Sequence, residues 1–110
     1  MIDIYYREGD SWCELRIQGH AGYGPEGRDI VCAGVSAIIQ ALLGYLEQLE
    51  RPQTIYREKP TVAKGYVCVC CKKTQLVSAV FGMAVTGFRQ IAAQYPDCAD
   101  LTIDRIAAQR

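Results

Sequence analysis

Basic clusters are scarce in this chain. No run of Lys or Arg exceeds the pair Lys72-Lys73, and twelve Lys/Arg balance twelve Asp/Glu to a formal net charge of zero. That excludes the concentrated positive footprint by which a small domain holds nucleic acid, so no direct nucleic-acid partner is expected. The stretch from Met1 to Glu8 has neither the basic start nor the continuous apolar run of a signal peptide. Gln40 and Glu47 interrupt the longest apolar stretch, so no membrane-spanning segment and no membrane partner are expected. These absences point to the cytoplasm. In that reducing setting the six cysteines, Cys13, Cys32, Cys68, Cys70, Cys71 and Cys98, are expected as free thiols despite their even number.

What is present suits one folded domain over residues 1–110. Half of the 110 residues are apolar, enough for one modest core and too many for disorder. Ile2, Ile4 and Tyr6 alternate with polar neighbours, and so do Cys13, Leu15 and Ile17, on either side of Gly9-Asp10. This period-two pattern predicts a β-hairpin whose second strand ends near His20. Three glycines and a proline in residues 21–28 mark a loop. Asp29 is a good N-cap, and Val31, Val35, Ile38, Leu42, Tyr45 and Leu49 follow helical spacing up to Pro52. Gln53 to Glu58 and Lys64 to Cys71 read as a second hairpin, and Gln75 to Tyr95 as a second helix. Leu101 to Ile106 reads as either a short last strand or a frayed turn. The expected class is α+β, in the order hairpin, helix, hairpin, helix, with two long helices on an antiparallel sheet. Both helices are apolar over more than one stripe, so a homodimer is expected to cover the excess.

His20 is the only histidine. It stands at the end of a strand, and Cys32 stands at the N3 position of the helix that Asp29 caps. The loop between them, with Gly22, Gly24 and Gly27, can bring base and thiol together and can serve as a gate over bound substrate. Only a thiolate attacks well, and the unpaired amides and dipole of a helix start favour an anion. The same amides could form an oxyanion hole. Ala33 and Gly34 leave space beside the thiol, and Ser36, one turn on, could hydrogen-bond it or shape the pocket. Asp29 has two competing roles, capping the helix or orienting the imidazole, of which the cap is favoured. No cofactor is needed.

Other groupings carry less. Cys68, Cys70, Cys71 and Cys98 make a poor metal set, because Cys-x-Cys-Cys on a strand splits its ligands between opposite faces; no metal is expected. Tyr5, Tyr6, Trp12 and Tyr66 suit packing on a sheet better than base stacking, since no basic groove accompanies them. The glycine loop is not a phosphate loop, as no Lys-Ser/Thr follows it.

Gly19-His20-Ala21, followed by Gly27-Arg28-Asp29-Ile30-Val31-Cys32-Ala33-Gly34-Val35-Ser36-Ala37, resembles the signature of the bacterial ribosomal-processing cysteine proteases, the Prp family. The order of elements is similar as well, so the resemblance covers almost the whole chain. It implies Cys32 as nucleophile and His20 as general base. It also implies a homodimer that removes a short N-terminal extension from a large-subunit ribosomal protein precursor, cutting after phenylalanine. The run Cys68-Val69-Cys70-Cys71 carries no family signature. Two other readings stand beside this one: a non-enzymatic ribosome-associated binding module in which Cys32 is packing, and a thiol redox sensor.

Overall fold

The computed structural model describes residues 1–25, 27–49, 51 and 53–105. Glu26 of the loop, Pro52 beyond the first helix and Ile106 at the end of the last segment lie outside the described residues. The elements run β1 (Ile2–Glu8), β2 (Trp12–Gly19), α1 (Ile30–Gln48), β3 (Thr61–Ala63), β4 (Tyr66–Lys72), α2 (Gln75–Gln94) and β5 (Ala99–Arg105). The α+β class of the expectation holds, with two helices and one five-stranded sheet in the order β3-β4-β2-β1-β5.

The first hairpin forms as the alternation dictates, pairing Ile2 with Gly19 through Glu8 with Cys13. Its inward residues Ile2, Ile4, Tyr6, Cys13, Leu15 and Ile17 are all buried. Val67, Val69 and Cys71 of β4 continue that face. Against it α1 lays Val31, Val35, Ile39, Leu42 and Leu46, one residue every turn. α2 adds Val77, Phe81, Ala84, Val85 and Phe88. The Phe81 ring stacks on Tyr6 with centroids 5.8 Å apart.

Two features differ from the expectation. The sheet is mixed, because β5 lies parallel to β1. The cause is α2: a helix of 20 residues rises about 30 Å and returns the chain to the end of the sheet from which β4 set out. The next strand therefore runs with β4, and so with β1. The second hairpin is also shorter than expected. β4 pairs with the three residues of β3, and the stretch Gln53 to Glu58 contributes only a bridge from Tyr56 to Cys71. Pro60, between the two, has no N–H to continue a ladder.

By length and composition, both helices are long and apolar enough to cross a membrane, so Gln40 and Glu47 do not disqualify the first. Only 28% of the apolar stretch of each is buried within the chain. One stripe of each helix packs on the sheet. Ile30, Tyr45, Leu76 and Met83 remain exposed.

Candidate active site

At the end of β2 the backbone turns through Gly19, whose φ of +97° is in the left-handed region, and a side chain there would collide with the Met1 carbonyl. The Gly19 N–H donates to the Gly65 carbonyl at 2.9 Å, tying the strand end to the β3–β4 turn. His20 follows, exposed to solvent, with its imidazole beside Gly65. A Cβ on Gly65 would stand 3.3 Å from His20 Nε2 and 3.6 Å from Cε1, and Gly65 has φ of +77°. Only glycine meets both demands without strain.

The next residue, Ala21, is buried, and its N–H donates to Cys32 Sγ at 3.4 Å. The strand end that carries the histidine is thereby joined to the thiol at the helix start. Cys32 is half-buried. Both residues line one cavity of about 650 Å³ with Ile17 and Val67 of the sheet and Ile39 of α1.

Asp29 organises the helix start. Its Oδ1 accepts from the amides of Val31 and Cys32, each at 3.0 Å, as an N-cap. Its Oδ2 accepts from the amides of Tyr23 and Gly24 at 2.9 and 3.2 Å, so the same carboxylate holds the loop. The Cys32 amide above all, with those of Gly24, Tyr23 and Val31, keeps the Asp29 carboxyl below its ordinary value. Among the described residues no hydrogen bond joins Asp29 to His20; the geometry is that of a cap.

The remaining sequence candidates divide. Ala33 and Ser36 line the cavity, as do Gly22, Gly24 and Gly27. Gly22 and Gly27 adopt φ of +70° and +85°. Gly34 points elsewhere: a Cβ there would meet Ile91 Cδ1 of α2 at 3.4 Å, so its smallness serves helix packing. Three of the helix-start amides expected to form an oxyanion hole are already engaged. The Val31 and Cys32 amides serve Asp29 Oδ1, and the Ala33 amide donates to the Asp29 carbonyl at 2.9 Å. Among the described residues no group of three or more His, Cys, Asp or Glu could hold a metal.

Sequence reasoning missed the other wall of the cavity, formed by Val62, Ala63, Gly65 and Tyr66 around the β3–β4 turn. The signal present was Lys64-Gly65, a turn pair inside the segment read as a longer hairpin. The loop has a further anchor in Tyr23, whose ring meets Tyr95 edge-on at 5.2 Å.

The model of the family described as cysteine protease Prp matches residues 1–100. This chain belongs to that family of cysteine proteases. Its fold is similar to the ribosomal processing protease Prp of S. aureus solved with a covalently linked product peptide. The TM-score is 0.80 at 20% identity, over 94% of this chain and 100% of that one. The same S. aureus protease with a substrate peptide gives a TM-score of 0.72 at 19% identity, over 94% and 100%. SMU.848 from Streptococcus mutans gives 0.72 at 24% identity, over 96% of each chain. At these identities the likeness shows a shared fold. No curated protein matches the sequence.

Proposed function

We propose that this chain is an endopeptidase that removes a short N-terminal extension from a large-subunit ribosomal protein precursor, with Cys32 as nucleophile and His20 as general base. The observation that carries the assignment is the contact from the Ala21 amide to Cys32 Sγ, which places the thiol beside the residue that follows the histidine. His20 takes the Sγ proton, and the thiolate attacks the scissile carbonyl carbon. The tetrahedral adduct collapses to a thioester as the leaving amine takes the proton from His20. Water then attacks the thioester, giving its proton to His20, and releases the new carboxylate and the thiol. The ribosomal substrate is supported by family membership and by the S. aureus protease, which was solved as a ribosomal processing protease with substrate and product peptides.

The same reading includes a homodimer, in which a second copy covers the exposed Ile30, Tyr45, Leu76 and Met83. It also includes a cytoplasmic location, suited to six free thiols. The loop carrying Gly22, Gly24 and Gly27 closes over bound peptide. Intact-mass analysis of precursor ribosomal proteins incubated with the enzyme tests the substrate. Loss of one N-terminal extension is expected, and precursors of unchanged mass would overturn the assignment.

A further inference from the structure

β3 is an edge strand, and one backbone position on it opens beside the candidate site. In the ladder between β2 and β4, the Gly19 N–H donates to the Gly65 carbonyl and the Lys73 N–H to the Ser11 carbonyl, at 2.9 and 2.7 Å. Odd-numbered residues along β4 therefore turn their backbone polar groups toward β2, and even-numbered ones turn theirs outward. The outward set behaves accordingly. The Cys70 carbonyl accepts from the Arg57 N–H at 2.9 Å, and the Lys72 N–H donates to the Ile55 carbonyl at 2.8 Å.

On β3, Ala63 opposes Tyr66 and Thr61 opposes Cys68, so these two face the outward groups of β4. Val62 opposes Val67 and directs its own N–H and C=O away from the sheet. Among the described residues nothing meets that pair. Pro60, two residues earlier, has no N–H to offer. The open edge is therefore confined to Val62, whose side chain lines the same cavity as Cys32 and His20.

We infer that the peptide substrate binds in extended form, as a strand added to β3, and exchanges two hydrogen bonds with the N–H and C=O of Val62. The inference rests on the reading of Cys32 and His20 as nucleophile and base. A helical segment satisfies its own backbone groups and cannot take this pair, whereas an extended one leaves them free. Along a strand so added, alternate side chains turn to the face of the sheet that carries Val62 and Val67, so recognition should repeat every second residue.

The test uses a peptidyl chloromethyl ketone carrying the residues on the acyl side of the cut. The Cys32 thiolate displaces chloride to form a thioether, and amide exchange is followed by NMR before and after. The Val62 amide should slow at least tenfold in the adduct, with rates along β5, the opposite edge, unchanged. A labelled enzyme whose Val62 amide exchanges at its former rate overturns strand addition alone. A Cys32 that stays unlabelled overturns the nucleophile assignment, and strand addition with it. In cleavage assays V62P removes the N–H, and V62A keeps it while shortening the side chain. V62P should raise KM about five- to tenfold more than V62A, with similar kcat, as expected for one lost hydrogen bond. Equal KM values for the two variants contradict the pairing.

Discussion

Gly65 shows how little room surrounds His20. Its Cα is so close to His20 that a methyl group would press on the imidazole, and its φ of +77° suits no other residue well. Gly65→Ala should cost about 1–2 kcal/mol in backbone strain. It should also lower kcat by roughly ten- to a hundredfold through a displaced His20, with a smaller change in KM. Steady-state kinetics beside a melting curve separate the two effects; unchanged kcat in a folded variant would remove Gly65 from the account. Asp29 makes a second prediction. Its carboxyl is held below the ordinary value, chiefly by the Cys32 amide. The stability it contributes is therefore complete above about pH 3.9 and is lost as pH falls through the lower folded-state value. Acid titration should cost the wild type more stability than Asp29→Asn. In that variant the amides of Tyr23 and Gly24 should exchange faster at neutral pH. Identical acid profiles would show that the carboxylate charge contributes nothing.

At the scale of elements, the helices were the most legible part of the sequence. Asp29 marked the start of α1, and Val31, Val35 and Leu42 of the expected face pack on the sheet; Ile39 and Leu46 complete that face in place of Ile38, Tyr45 and Leu49, and Tyr45 is exposed. That His20 and Cys32 line one cavity follows from segments that are consecutive in the chain, a strand, a loop and a helix. β3 was not legible, because Thr61-Val62-Ala63 is three exposed residues with no period-two contrast. Gly65 was hidden with it, since its contact with His20 depends on the register of β4 against β2. The parallel direction of β5 was equally out of view, because it is set by the return path of α2 and not by any local pattern. The strands do explain the spare cysteines. Burial pushes the Cys71 thiol up to about 12 and raises Cys13 as well. Iodoacetamide at neutral pH should leave both unmodified in the folded enzyme while Cys32 reacts. Cys71→Ser should keep cleavage activity and lose about 1–3 kcal/mol of stability through a buried hydroxyl. Loss of activity in a folded Cys71→Ser variant would reopen a redox role for the sheet thiols.

For the whole molecule, the two helices present more apolar surface than one sheet face can cover. Met83, 81% exposed, is the most open of these residues. Sedimentation at micromolar concentration should show a dimer, and Met83→Glu should shift it toward monomer by placing a charge in an apolar contact. A wild type that sediments as a monomer would refute the pairing. The central claim concerns the chemistry at one end of the sheet, where Cys32 and His20 share a cavity. Its most direct test is cleavage of purified precursor ribosomal protein by wild type, Cys32→Ser and His20→Ala, read by intact mass, with folding of each variant checked by circular dichroism. The account predicts a shortened product with wild type and none with either folded variant. Near-wild-type cleavage by either variant would contradict it.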